Sequence, residues 1–272
     1  MTAVIVAASF DNLRTRDVRL LHEASKLGPL HALVLADDLA AELDGAPPKF
    51  PLAERQYFLQ SIRYVDRVTP VDDLAAALSA AAQDADVVSV AASEPADAAV
   101  AAAARELGLA HRNIPADDLA GFPDHDEADA AAAPGNRPRV IVTGCYDWFH
   151  TGHVRFFEEA AEHGELHVVV GHDANIELLK GPGHPMFPED ERRYMVGAIR
   201  FVRRAYVSTG NGWLDAEPEI VVIQPDIYLV NEDGDKPEKH EFCAAHGIEY
   251  RVLTRKPKPG LPARQSTDLR GF

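Results

Sequence analysis

Cysteine is nearly absent from this chain. Cys145 and Cys243 are its only two, too few for a disulfide framework or a cysteine-based metal cluster. Long apolar runs are absent as well, so no segment is suited to crossing a bilayer and no membrane partner is expected. The first residues, Met1 to Ala8, enter an apolar strand-like stretch without the basic start, apolar core and small-residue cleavage site of a secretory signal. A cytoplasmic location is the expectation. Positive charge is also scarce, at 27 Lys and Arg against 43 Asp and Glu and a net charge of −16. General nucleic-acid binding depends on basic surface that displaces counterions from phosphates, so no nucleic-acid partner is expected. The shortage is uneven. Through Asn136 there are 10 basic and 22 acidic residues, and beyond it 17 and 21. Much of the later positive charge sits in one tail segment, with Arg251, Arg255, Lys256, Lys258, Arg264 and Arg270.

With 272 residues, 46% hydrophobic and 26% charged, the chain can build two modest globular domains. An internal repeat shows how it is divided. VIVAASFDNLRTRDVRLLHEASKLGPLHALVLADD, from Val4, aligns without gaps on VIVTGCYDWFHTGHVRFFEEAAEHGELHVVVGHDA, from Val140. Asp11 matches Asp147, Glu23 matches Glu159 and Gly28 matches Gly164. After one inserted residue the match resumes, with Phe50-Pro51 on Phe187-Pro188, Glu54-Arg55 on Glu191-Arg192 and Ile62-Arg63 on Ile199-Arg200. A period above a hundred residues makes each copy a domain and the pair a duplication. The stretch from Ala120 to Pro138, rich in Pro, Gly, Asp and Ala, reads as a linker between domains at 1–119 and 139–272.

Each copy alternates strand and helix patterns, which predicts doubly wound α/β domains with parallel sheets. In the second copy strands are expected at Val140 to Thr143, Leu166 to Gly171 and Glu249 to Leu253. Helices are expected at His153 to His163, from Pro188 to Phe201, and around Pro237 to His246. Glu219 to Ile223 and Ile227 to Val230 read as further apolar stretches. Such sheets bind ligands at the carboxyl ends of their strands. His150-Thr151-Gly152-His153 falls just beyond the first strand of the second copy, at the start of a helix.

Two imidazoles three residues apart at a helix start can lie on one face, beside exposed backbone N–H groups and the positive end of the helix dipole. Gly152 leaves room for close backbone approach. That combination suits a phosphate chain better than a metal, which usually requires a third ligand and an i, i+4 pair. No protein-held metal is therefore expected. The run Gly144-Cys145-Tyr146-Asp147, then His150 to His153, resembles the G-x-[FY]-D-x-x-H-x-G-H signature of the cytidylyltransferase-like nucleotidylyltransferase superfamily. The resemblance extends from Arg139 to about Gly271. It implies Rossmann-like domains, a nucleoside triphosphate accompanied by Mg²⁺, and two histidines that stabilise charge during in-line attack on the α-phosphate.

The same resemblance implies roles for other residues. Lys180, in a Gly/Pro loop after the second strand, would contact phosphates, joining His150 and His153 as catalytic candidates. Gly144, Cys145, Tyr146, Asp147, Thr151 and Gly152 would surround the nucleotide. Arg192, of the Glu-Arg pair, could serve the nucleotide or the structure, since Arg55 keeps its place in the first copy. Arg264, Ser266 and Thr267 match a second motif that begins the last helix, where an N-cap and an arginine would meet phosphate. Asn231 and Asp233 follow a strand end near nucleotide or acceptor.

In the first copy the motif positions hold Arg14, Thr15, Arg16 and Asp17, and Ala8 replaces Gly144. This copy is expected to be catalytically dead and to form an internal pseudo-dimer with the second, with a homodimer of the whole chain left open. The leading expectation is transfer of CMP from CTP to a small phosphorylated alcohol or sugar. The alternatives are adenylyl transfer from ATP to a sugar phosphate and a non-catalytic nucleotide sensor. The Leu179 to Pro185 loop looks more like the adenylyltransferase domain of the bacterial heptose-phosphate enzyme. Ala205 to Asp235 contains no Lys or Arg to hold glycerol 3-phosphate, offering Asn211, Trp213 and Asp215 instead.

Overall fold

The computed structural model describes residues 3–84, 87–92, 98–125 and 136–269. The chain divides into two compact units, Met1–Gly121 and Phe122–Phe272. In the first, strands β1 (Ala3–Ala8), β2 (Leu30–Leu35), β3 (Arg67–Val71), β4 (Val87–Ala92) and β5 (Ala110–Ile114) alternate with helices. These are α1 (Thr15–Ser25), α2 (Asp37–Asp44), α3 (Leu52–Gln60), α4 (Leu74–Asp84) and α5 (Ala98–Glu106). The second unit repeats the plan with β6 (Arg139–Gly144), β7 (Glu165–Val170), β8 (Val202–Val207), β9 (Ile227–Asn231) and β10 (Glu249–Leu253). Its helices are α6 (Thr151–Glu162), α7 (Asp173–Lys180), α8 (Glu189–Gly197), α9 (Glu217–Ile223) and α10 (Pro237–His246).

The sheet orders are β3-β2-β1-β4-β5 and β10-β9-β6-β7-β8. Read from opposite edges these are the same order, with the first strand of each copy at the centre. Every pairing is parallel. The central strands carry β-branched residues with almost no exposure, Val4 to Val6 in one and Val140 to Val142 in the other, as expected when helices cover both faces. The anticipated α/β, Rossmann-like fold in two tandem halves is thus present. In the second unit the order reverses between β6 and β9, so the loops after these two strands flank the crevice where such sheets bind ligands.

Helix α6 illustrates how the sequence specifies an element. Val154, Phe156, Phe157 and Ala160 form its buried side. On the outer side Arg155 pairs with Glu158 at 2.9 Å and Glu159 at 2.7 Å, one turn away. The helix ends at Glu162 with His163 as its C-cap, and the next residue must be Gly164, because a Cβ there would lie 2.0 Å from the Pro138 carbonyl oxygen.

Three expectations are revised and one is completed. The apolar stretch Glu219 to Ile223 belongs to helix α9, preceded by Ala216 as N-cap. Helix α8 stops at Gly197, its C-cap Ala198 donating back to Tyr194, and β8 follows at Val202. Lys180 is the last residue of α7, and the loop starts only at Gly181, whose φ of 88° a side chain would disfavour. Finally, part of the compositional linker is packed. The His125 ring stacks on Tyr194 at 4.7 Å and its Nε2 lies 2.8 Å from the Tyr194 carbonyl. Arg193 donates to Asp124 beside it. Gly197 admits this strap, since a Cβ there would fall 2.3 Å from the His125 ring. The remainder, residues 126–135, lies outside the described residues.

Candidate active site

The loop after β6 is held by two buried polar residues. Asp147 Oδ1 accepts the backbone N–H groups of Met186 at 2.8 Å and Phe187 at 3.0 Å, tying the motif loop to the segment before α8. Arg192, 1% exposed, donates from Nε to the Phe187 carbonyl and from its terminal nitrogens to the carbonyls of Cys145 and Gly171 and to the Asp173 carboxylate. All four partners lie between 2.6 and 2.8 Å.

The first unit contains the same clamp. Arg55 donates to the carbonyls of Phe50, Ser9 and Leu35 and to Asp37, and Asp11 accepts from Lys49 and Phe50. The matching device in the copy without the histidines shows that Arg192 and Asp147 anchor this loop by themselves. Arg192 sits too deep and is too fully engaged to reach a phosphate.

The anchored loop delivers the histidines. His150 is the N-cap of α6, and its Nδ1 accepts the Gly152 N–H at 3.0 Å. A backbone N–H can only donate, so in neutral His150 the ring proton resides on Nε2. Gly152 is required by this ring, which would lie 2.7 Å from a Cβ there, with the Arg264 carbonyl at 3.5 Å on the other side. The His150 and His153 rings stack with centroids 4.0 Å apart. Tyr146 and Phe149 meet the His153 ring at 5.4 and 5.2 Å. His150 Nε2 and His153 Nδ1 are buried without a hydrogen-bond partner.

Burial, reinforced by Arg255 and Arg264, pushes the His150 imidazolium down to about 3. Burial and the adjacent His150 lower His153 strongly as well. Both rings are therefore neutral near pH 7. Each holds an unsatisfied nitrogen at the positive end of a helix dipole, an arrangement that suits a phosphate oxygen.

A cleft of about 520 Å³ opens at the ends of β6 and β9. Gly144, Cys145, Tyr146, Asp147, Gly152 and His153 line one wall, with Lys180 on the rim. Asn231, Asp233, Ser266 and Thr267 line another stretch, while His150, Thr151 and Arg264 stand outside the lining. Thr151 is buried as the first residue of α6. Asp233 pairs with Arg255 at 2.9 Å, and Arg255 also donates to the Arg264 carbonyl at 3.3 Å. The tail therefore reaches the cleft through an ion pair. Ser266 opens only a 3-10 turn, Ser266–Leu269, and its hydroxyl donates to the Trp148 carbonyl at 3.3 Å rather than capping a helix. Burial holds the Cys145 thiol above its usual range, which leaves it protonated.

Several cleft residues carry no motif. Asn175, 1% exposed, grips the Gly212 backbone from both sides, donating to its carbonyl at 3.1 Å and accepting its N–H at 2.7 Å. The turn so fixed presents Trp213, 48% exposed, with the Lys236 ammonium 4.8 Å over its ring. Lys239 is buried and donates to the Gly234 carbonyl at 3.3 Å. Position after the carboxyl end of β9 is the one sequence signal that could have pointed to these two lysines. Among the described residues no group of three His, Cys, Asp or Glu side chains gathers to hold a metal, and no helix is long and apolar enough to cross a membrane.

The cytidylyltransferase-like family matches residues 141–260, a span that contains the whole cleft except its 265–267 edge. The FAD synthase of Aciduliprofundum boonei is 37% identical over 121 residues, 43% of this chain and 78% of that protein. The FAD synthase of Thermococcus kodakarensis is 34% identical over 122 residues, 42% and 77% of the two chains. The bifunctional protein HldE of Alcanivorax borkumensis is 33% identical over 132 residues, 45% of this chain and 26% of that one. Similarity of this extent, centred on the histidine-bearing unit, shows that the chain belongs to the cytidylyltransferase-like nucleotidyltransferases.

Proposed function

We propose that the second unit transfers an adenylyl group from ATP to a small phosphorylated acceptor, releasing pyrophosphate. The observation that carries the reading is the stacked His150–His153 pair, with two buried nitrogens unpartnered at a helix N-terminus. In the reaction an acceptor phosphate oxygen attacks the α-phosphorus in line. The bond from the α-phosphorus to the α,β-bridging oxygen breaks, and pyrophosphate departs with that electron pair. Such transfers need positioning and electrostatic stabilisation more than a protein nucleophile. His150 Nε2–H, already pointed by the Gly152 N–H, supplies a fixed donor for the charge that develops, and His153 supplies a second contact. Lys180 neutralises the phosphate chain from the end of α7. Mg²⁺ arrives on the triphosphate as part of the substrate.

ATP is favoured by the similarity to two FAD synthases, since FAD is the adenylylated form of a phosphorylated flavin. The cytidylyltransferase-like family match supports CTP as the second reading. Trp213 and Lys236 offer the acceptor an aromatic face and a positive charge away from the histidines. The first unit acts as a partner fold and not as a second active site. Its Asp17, standing where His153 would be, accepts the Arg14 backbone N–H at 2.7 Å and would repel a triphosphate.

Incubating the protein with Mg²⁺, each nucleoside triphosphate and a panel of phosphorylated acceptors, then measuring pyrophosphate, tests the proposal. Release with ATP and one acceptor class is the expected result. Release with CTP alone would replace the donor, and no release with any pair would remove the reading.

A further inference from the structure

The motif loop contains a third unsatisfied group. Tyr146 is 6% exposed and lines the cleft, and its hydroxyl is buried without a hydrogen-bond partner. Buried polar atoms are nearly always paired in native proteins, because an unpaired one keeps its full desolvation cost. The residue is also held in an unfavourable backbone conformation, with a φ of 54° that few non-glycine residues adopt.

The first unit supplies an internal control. Phe10 occupies the matching position with a φ of 50° and the same 6% exposure. Loop shape and ring burial therefore need only an aromatic ring, and the hydroxyl is the addition made in the copy that keeps the histidines. The residue two positions earlier changes with it, from Ala8 to Gly144. A Cβ at Gly144 would lie 2.8 Å from Tyr146 Cζ and 3.1 Å from its hydroxyl oxygen. The glycine lets the hydroxyl end of the ring lie over the end of β6, where the cleft opens.

We infer that the Tyr146 hydroxyl donates a hydrogen bond to an oxygen of the phosphate chain of the bound nucleotide, a side-chain contact that a phenylalanine at this place in the motif could not make. The inference rests on the nucleotidyl-transfer reading of this cleft. Chemistry supports the donor role. Burial raises the phenol well above its ordinary range, so it stays protonated and can only donate to an anionic oxygen without losing its own proton. The His153 ring meets the Tyr146 ring at 5.4 Å, nearly edge on, which puts both groups at the same end of the cleft.

Tyr146→Phe tests this in the full chain, with three measurements. A hydrogen bond to a charged partner corresponds to a loss of roughly 10- to 100-fold in affinity when the donor is removed. The expected result is such a loss for Mg-ATP by calorimetry, no change for adenosine, and a melting temperature at or above that of the parent. The melting temperature should not fall, because the substitution deletes an unpaired buried group and leaves the ring that Phe10 shows to be sufficient. Equal Mg-ATP affinity in parent and variant would overturn the inference, and so would a loss shared equally by adenosine. A lower melting temperature with unchanged affinity would assign the hydroxyl a structural role instead. Lys180→Ala is the control for the cleft, since Lys180 is assigned to the phosphate chain of the bound nucleotide: if it also leaves Mg-ATP affinity unchanged, the reading of the site falls and the tyrosine's role falls with it.

Discussion

Arg192→Ala removes a guanidinium that makes four hydrogen bonds, three to backbone carbonyls and one to the Asp173 carboxylate. Hydrogen bonds involving a charged group contribute about 1.5–3 kcal/mol each, but their losses do not add, and the cavity can admit water. Asp173 is 43% exposed, so its share is small. Leaving the buried carbonyls of Cys145, Gly171 and Phe187 without their donor places the total near 3–5 kcal/mol, the range for breaking a buried charged network. For a unit of this size that corresponds to a fall of about 10 °C in melting temperature. Arg192→Lys should recover only part of it, since one ammonium cannot reproduce the planar fork. Arg55→Ala should destabilise comparably, because Arg55 makes the matching contacts to Phe50, Ser9, Leu35 and Asp37. Differential scanning calorimetry on the three variants gives the comparison. An Arg192→Ala protein that melts like the parent yet loses Mg-ATP affinity would refute the reasoning and return this residue to the nucleotide.

Two further outcomes follow from the structure. His150 holds its folded pKa at about 3 against 6.5 for an ordinary histidine, so its contribution to stability is complete above pH 6.5. As pH falls below 6.5 the unfolded chain takes up the proton and the folded chain does not, and stability drops by up to about 1.4 kcal/mol per pH unit until the pH nears 3. Denaturant titrations of parent and His150→Asn between pH 7 and 4.5 should diverge accordingly, the variant showing the shallower decline; parallel curves would contradict the neutral, buried assignment. Equilibrium binding of Mg-ATP should saturate at one nucleotide per chain, because Asp17 and Arg16 stand where the second unit has His153 and Gly152. Two equivalent sites would contradict the assignment of the first unit as a partner fold.

The duplication was legible in the sequence because it left identities at a constant offset, including charged residues with no reason to recur by chance. Its consequence appears in the identical strand orders of the two sheets. The position of the histidines was legible too, since a short β-branched strand followed by a turn and an amphipathic run has few other readings. The role of Arg192 was not. Its partners come from three loops up to 47 residues away from it, and only folding brings their carbonyls to one guanidinium. The matching Arg55 raised a structural role without deciding it.

Helix α9 escaped because its seven residues carry an apolar run, EPEIVVI, with no clear period, and Val221 and Val222 are left exposed at 68% and 77%. Gly181 and Pro182 make the stretch around Lys180 read as a loop, whereas the helical pattern of Asp173–Lys180 runs up to the glycine that stops it. Asn175 is hidden for another reason. The asparagine matters through the backbone of a turn 37 residues away, a relation that no local pattern encodes.

The central claim is that His150 and His153 stabilise charge on a transferring nucleotidyl group. Removing one preorganised donor at a centre of developing charge costs about 100- to 1,000-fold in kcat. The most direct test is the rate of pyrophosphate release by His153→Ala and His153→Asn, with saturating nucleotide and the acceptor identified by screening, alongside their melting temperatures. The account predicts a fall in kcat of at least about 100-fold in both variants while the asparagine variant still melts near the parent. A rate within a few-fold of the parent would contradict it.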